Sequence, residues 1–322
     1  MATTQAVTTL ERGQNAPSVT DSPSEIYDIW LAGRSASTMK TYGAGLRDFS
    51  RFAGVSSPAE ALRVLVESGR GHANALLRKY RNALVERELS PASVNVYLAA
   101  VRSLVAFAEE TGLVDWTLKI AGVKSVSYRN TAGPGLDMVK RMIATVASRG
   151  DAKGVRDSAI MILLHDLGLR RAEVLSLDLQ HADLGGGKLW ILGKGFSERQ
   201  AVTLTGAAKC ALESWIRVRG SAEGPLFVNM AHDTKIRGAR LGGGGLYRLV
   251  KKAGAAVGVD ARPHGLRHGG ITVALDVSNG NARKVRKFSR HASIATVQKY
   301  DDSREDFAGQ IAALVSAARE AV

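Results

Sequence analysis

Cysteine is almost absent from this chain: Cys210 is the only one among 322 residues. An intramolecular disulfide and a cluster of zinc-binding thiolates are thereby excluded, and a reducing cytosol is the simplest setting. Acidic residues are also scarce relative to basic ones, 30 against 44, which leaves a formal charge of +14 with most of the excess after Asn130. That balance points to a polyanionic partner. No apolar run is expected to reach the length that spans a bilayer, and no basic amphipathic helix with a Trp or Phe face stands out, so no membrane partner is expected. The amino terminus lacks the basic and apolar regions of a secretory signal, so a cytoplasmic protein is expected. There is no internal repeat. Residues 242–245 are a glycine run that reads as a flexible loop, because no Lys-Ser or Lys-Thr pair follows to make it a phosphate cradle.

What is present suits a folded chain: 45% hydrophobic and 23% charged residues over a length that accommodates two ordinary domains. Residues 1–22, rich in Thr, Ser, Ala and Gln without apolar periodicity, read as a flexible tail. Residues 23–118 read as a helical domain. Ile26, Ile29 and Trp30 begin one apolar face, and Tyr42, Leu46, Phe49 and Phe52 continue it after a cap at Ser37 or Thr38. A further helix is expected near 73–87, and another from Ser90-Pro91 through Tyr97, Val101, Leu104 and Phe107. Residues 119–135 lose periodicity and read as a linker. Residues 136–322 read as a mixed domain: helices over 136–147 and 155–167, a hairpin whose strands flank Gly193-Lys194-Gly195, a short strand at 226–229, and helices over 206–219, 245–254 and from Leu266 onward. The fold class is therefore mainly α with a small antiparallel β-sheet.

Three strings in the second domain carry chemistry: GLRRAE at 168–173, HGLRH at 264–268, and HASIATVQKY, in which Tyr300 follows His291 by nine positions. Their order, with the GKG turn between the first two, resembles the tyrosine recombinases, a family that includes phage integrases, Xer proteins and Cre. The resemblance covers nearly the whole chain after about residue 20. It implies a SAM-like helical core-binding domain for 23–118 and a catalytic domain of the DNA breaking-rejoining type for 136–322. It departs from the family's pattern at Ser289-Arg290, where Leu-Gly is usual, and at Gly269, where Thr or Ser is usual.

A phosphodiester resists attack because its anionic oxygens repel a nucleophile and its alkoxide is a poor leaving group. Arg170 and Arg267 answer the first problem, since each guanidinium presents a planar fork of donors matched to nonbridging oxygens. Glu173, one turn from Arg170, can orient it. Lys194, at the hairpin tip, holds the position of the family's lysine that protonates the departing 5′ oxygen; Lys188 is the alternative. His264, three residues before Arg267, can bond a phosphate oxygen or accept the nucleophile's proton. His268 is expected on a different face, in a structural role. His291 is expected to donate to a nonbridging oxygen, and Tyr300 to attack phosphorus and form a 3′-phosphotyrosyl link. The acids flanking Tyr300 argue against full burial. No metal or nucleotide cofactor is implied, since the covalent link conserves the energy of the broken bond.

Double-stranded DNA is the expected partner, clamped by the two domains. In the helical domain Thr38, Lys40, Arg78, Lys79 and Arg81 are candidate phosphate contacts, with Asn95 and Arg102 as candidate base readers. The amphipathic tail FAGQIAALVSAAREAV resembles the terminal helix by which relatives dock on a neighbouring subunit, which implies a tetramer on paired sites. The implied activity is site-specific recombination. Relaxation of DNA in the manner of a type IB topoisomerase, or DNA binding without catalysis, are the alternatives.

Overall fold

The computed structural model describes residues 22–124, 133–193, 195–230, 236–301 and 307–320. They form two compact units, one on each side of the boundary between residues 127 and 128.

The first unit contains four helices: α1 (Pro23–Ala32), α2 (Ala36–Phe52), α3 (Pro58–Glu86) and α4 (Pro91–Glu110). A serine precedes each of them, and three of the four cap through the side chain. Ser35, Ser57 and Ser90 accept hydrogen bonds from the backbone N–H groups of Thr38, Glu60 and Ser93, satisfying donors that a helix start leaves orphaned. The cap of α2 is therefore Ser35, and the expected Ser37 or Thr38 lies inside the helix. Within α3, Gly69 adopts φ 70° and ψ 166°, a left-handed break that only glycine tolerates readily. The expected helix near 73–87 is the part of α3 beyond that break, and a further stretch from Pro58 precedes it.

Trp30, Leu46, Phe49, Leu62, Leu77, Leu98 and Leu104 fill the core. At its polar edge the Asp48 carboxylate accepts from the Tyr80 hydroxyl at 2.9 Å and from both terminal nitrogens of Arg87, tying α2 to α3. α4 is long and apolar enough by composition to cross a membrane, contrary to the expectation that no segment is. Its apolar residues are instead the unit's core, with Val94, Leu98, Ala100, Val101, Leu104, Val105 and Ala108 all buried.

The start of the expected linker belongs to this unit. Leu118 and Ile120 are buried in its core. Asn95 exchanges two hydrogen bonds with the backbone of Val123, Arg102 donates to the Ile120 carbonyl, and Lys119 N–H donates to Asn74. Asn95 and Arg102, anticipated as base readers, thus hold chain residues 119–123 in place. Both the nitrogen and the oxygen of the Asn95 side-chain amide are engaged in doing so.

The second unit is built around α6 (Ala152–Asp166), which is buried on most of its circumference and packs against α5 (Leu136–Ala147), α8 (Gly206–Arg219) and α10 (Pro263–Val277). A side chain at Gly270 would collide with the His165 carbonyl, so glycine there lets α10 approach α6 closely. A three-stranded antiparallel sheet, β1 (Ala182–Asp183), β2 (Lys188–Leu192) and β3 (Arg199–Thr203), follows the short α7 (Arg171–Leu175). Leu189 pairs with Val202, and the inward faces of Leu189 and Ile191 join the core. β4 (Val228–Met230) pairs with β5 (Ile236–Arg240), a strand absent from the sequence expectation.

The glycine run is not a loop, because α9 (Gly243–Ala255) begins inside it. A Cβ at Gly245 would stand 2.8 Å from the tip of the Leu241 side chain, which would have to shift to admit it. α11 (Ala282–Ser289), α12 (Ile294–Asp301) and α13 (Phe307–Glu320) complete the unit.

Candidate active site

Three chain segments meet at the Gly168 carbonyl. α6 ends at Asp166, and Gly168 turns the chain with φ 54°. Its carbonyl accepts from Arg267 Nη1 on α10 and, at 2.7 Å, from Arg290 Nη2 just after α11. Two cationic donors on one neutral oxygen fix both guanidiniums relative to the start of α7.

Arg170 stands at that start. Its backbone N–H donates to Glu173 Oε2 at 2.7 Å, its Nη1 donates to Glu173 Oε1 at 2.7 Å, and its Nη2 donates to the Arg290 carbonyl at 2.8 Å. The Glu173 side chain is 1% exposed and that of Arg170 26%. The acid therefore lies beneath the guanidinium, and Arg170 keeps a face open to solvent. Orientation of Arg170 by Glu173 has a direct geometric basis.

Arg267 is 1% exposed. Besides Gly168 it donates to the Ser289 carbonyl and, at 3.2 Å, to His291 Nε2. Burial pulls the Arg267 pKa down to about 10, with the charges of Arg170 and Arg290 adding to the effect, so it remains cationic at neutral pH. His291 Nδ1 lies 2.9 Å from Ser289 Oγ. With Arg267 donating to Nε2, the consistent tautomer carries its proton on Nδ1 and gives it to that hydroxyl. Partial burial, then the neighbouring guanidiniums of Arg267 and Arg170, lower the His291 pKa to about 4. In this arrangement His291 Nε2 is an acceptor, whereas the sequence expectation made the residue a donor.

Tyr300 is 8% exposed, set among Ile271, Leu275, Val285 and Val297. The expectation that its acidic neighbours would keep it from burial is corrected: Val297 and Tyr300, three apart, share the inward face of α12. Its ring lies 4.3 Å from that of His268 and 5.6 Å from that of His291, centroid to centroid. Desolvation raises the phenol's pKa, while the charges of Arg267 and Arg170 oppose the rise.

His268 also stands 4.3 Å from the ring of His264. Four residues apart, the two imidazoles share a face of α10, and the anticipated separation onto different faces does not occur. His268 is buried between His264 and Tyr300, and desolvation, followed by the charges of His264 and Arg267, lowers its pKa to about 3. His264 is the exposed end of this row. Its pKa is lowered by partial desolvation and by Arg267 and Arg170, which leaves a neutral ring able to accept a proton.

The structure thus brings together Arg170, Glu173, His264, Arg267, His291 and Tyr300, and adds His268, Ser289 and Arg290. The i, i+4 spacing in HGLRH was a signal for His268, and the departure from the family's Leu-Gly at Ser289-Arg290 marked Arg290 without indicating a role for it. Lys194 lies outside the described residues. Lys188 Nζ donates to Thr203 across the β2–β3 pair at 3.0 Å. In the first unit Lys40, Arg78 and Lys79 are exposed, Arg81 donates to Asn82, and Thr38 lies against Ser35 in the first turn of α2. Among the described residues no group of three or more His, Cys, Asp or Glu side chains is placed to hold a metal ion.

Residues 136–306 match the Phage integrase family, and residues 27–112 match the Phage integrase, N-terminal SAM-like domain. Tyrosine recombinase slr0733 of Synechocystis sp. is 36% identical over 284 residues, covering 86% of this chain and 90% of that protein. Tyrosine recombinase XerC of Corynebacterium glutamicum is 28% identical over 307 residues, covering 89% and 92%. Among solved structures, the XerH recombinase bound to palindromic difH substrate in a post-cleavage complex superposes with a TM-score of 0.65 at 18% identity, over 92% of this chain and 85% of that one. A lambda integrase dimer bound to a COC′ core site gives 0.64 at 15% identity, over 88% and 77%. At those identities the structural likeness speaks for the fold.

Proposed function

The chain belongs to the phage integrase family of tyrosine recombinases, and we propose that it cuts and rejoins double-stranded DNA at specific sites through Tyr300. The observation that carries this reading is the convergence of Arg170, Arg267, His264 and His291 around Tyr300 within one unit. In the cleavage step the Tyr300 Oη–P bond forms as the P–O5′ bond breaks, in line. Arg170, with its open face, and Arg267 hold the nonbridging oxygens; charge stabilisation of this kind is worth about 3 to 4 kcal/mol per donor.

The phenol's proton passes to a neutral imidazole, of which His264 is the exposed one, and Lys194 supplies the proton that the leaving 5′ oxygen needs. His291 donates to phosphate once the anion displaces Arg267 from Nε2 and the ring takes up a proton from solvent there. A second strand's 5′ hydroxyl then attacks the phosphotyrosyl link and reverses the step on a new partner. A DNA substrate places the protein in the cytoplasm with the nucleoid. Lys40, Arg78, Lys79 and Arg81, with Thr38, are the proposed phosphate contacts of residues 23–118.

Strand exchange between two sites calls for four subunits, and α13 is the proposed contact between them. Leu314 and Val315 on it are each 65% exposed. An apolar groove of about 520 Å³ between α10 and α11, lined by Val273, Ala274, Val277, Val285 and Phe288, is the proposed receiver on a neighbouring copy.

A duplex selected by the protein from random-sequence DNA, nicked close to the cleavage position so that the short fragment diffuses away, should trap a covalent adduct with the native chain. Tyr300→Phe should bind the same duplex and give none. Adduct formation by Tyr300→Phe, or its absence from the native chain, would refute the proposal.

A further inference from the structure

Arg290 occupies a backbone conformation that disfavours it. At the carboxyl end of α11 it adopts φ 56° and ψ 42°, the left-handed region where glycine is the usual residue. Yet its side chain is only 13% exposed and is held through both terminal nitrogens: Nη1 donates to the carbonyls of Phe288 at 2.8 Å and Leu167 at 3.2 Å, and Nη2 donates to the Gly168 carbonyl at 2.7 Å and to Glu173 Oε2 at 3.2 Å, while Nε is buried without a partner among the described residues. Its own carbonyl receives Arg170 Nη2. A buried guanidinium is costly unless paired and hydrogen-bonded, and here the pairing is with the acid that also grips Arg170.

We infer that Arg290 is a positioning residue for DNA cleavage, whose guanidinium locks Glu173, and through it Arg170, in the orientation that receives the scissile phosphate. The inference rests on the recombinase reading above. Glu173 holds Arg170 with Oε1 and with Oε2. Arg290 bridges that same Oε2 to the carbonyls of residues 167, 168 and 288, so the carboxylate cannot rotate without breaking contacts across α6, α7 and α11. Loss of the bridge frees the carboxylate and misaligns Arg170, which sits next to the reacting phosphorus, where small displacements are expensive in rate.

Arg290→Gly separates side chain from backbone, because glycine accepts the left-handed turn and keeps the carbonyl that meets Arg170. On the nicked duplex described above, the single-turnover cleavage rate is expected to fall about 10- to 100-fold, the range expected for one lost charge-assisted hydrogen bond, with DNA affinity unchanged. Arg290→Lys, which keeps the charge in a folded chain and lacks the planar fork, is expected to lose at least about tenfold as well. In a Glu173→Ala background, Arg290→Gly should add little further loss, since the element it acts through is already gone. Cleavage by either single variant at the native rate, a loss that follows only the fraction of unfolded protein, or losses that multiply independently in the double variant would overturn the inference while the native chain still forms its adduct. Failure of the native chain to form an adduct would overturn the recombinase reading and this inference together.

Discussion

Acidification from pH 7 to pH 5 should destabilise the second unit, and His268 supplies a calculable part of the loss. Its pKa is about 3 in the folded chain against 6.5 as the ordinary value, so between those limits the unfolded chain binds a proton that the folded chain refuses. Stability therefore rises with pH through this window and is lost as pH falls below 6.5. At pH 5 the folded ring is still neutral and the unfolded one is almost fully protonated, a gap of 1.5 pH units that converts at about 1.4 kcal/mol each to roughly 2 kcal/mol. The ring is 8% exposed, so solvent screens little of this. Pulse proteolysis in urea at the two pH values, with fragments of the second unit identified by mass, measures the change. His268→Asn removes the titrating group while leaving His264 and His291, so its loss on acidification should be smaller than that of the native chain by about that amount. Equal pH dependence in the two proteins would refute the neutral, buried assignment of His268.

Arg170→Lys should lower the cleavage rate about 100-fold or more, because an ammonium cannot reproduce the bonds to Glu173 and to the Arg290 carbonyl while keeping donors for phosphate; single-turnover cleavage measures it. Asp48→Ala should destabilise the first unit by about 2 kcal/mol, since the fully buried Tyr80 hydroxyl loses its 2.9 Å acceptor; urea denaturation followed through fragments of that unit tests this. Gly270→Ala should destabilise the second unit and lower the soluble yield, because the added methyl meets the His165 backbone and α10 must retreat from α6. Leu314→Asp with Val315→Asp should leave cleavage at a single site intact and abolish two-site recombination, read by comparing adduct formation with product formation on paired sites.

Helix positions were legible from apolar periodicity, with a capping side chain at α8 and without one at α5. α5 and α8 occupy the ranges read from sequence, 136–147 and 206–219. β5 was not legible, since IRGAR has no alternation and pairs with β4 through a register shift. The glycine run misled because glycine signals flexibility locally, whereas here α9 begins inside the run. In the site, Arg170, His264, Arg267, His291 and Tyr300 were picked out by the order and spacing of strings that resemble the family's, and the structure brings them close together. The role of Arg290 could not be read, because its importance depends on a left-handed turn and on partners as far as 123 residues away.

The electrostatics of the free site bear on when it can react. The free site holds His264, His268 and His291 neutral through lowered pKa values and the Tyr300 phenol protonated through a raised one, so His264 is ready to accept a proton while His291 is not yet a cationic donor and Tyr300 not yet a phenolate. Desolvation is the first cause in every case, lowering the imidazoles and raising the phenol, whereas the guanidiniums of Arg267 and Arg170 lower His264, His291 and Tyr300 alike. Those guanidiniums disfavour an imidazolium and favour a phenolate, so an anion placed among them changes the balance by cancelling part of their charge. It makes protonation of His291 easier and leaves the phenol harder to ionise in advance. Proton transfer from Tyr300 must then accompany attack on phosphorus, with a neutral imidazole as the acceptor. A His264→Asn variant should accordingly slow cleavage most where the native imidazole is neutral and least at acid pH, where the native ring is already protonated. A pH–rate profile in which variant and native chain differ by a constant factor would rule out His264 as that acceptor.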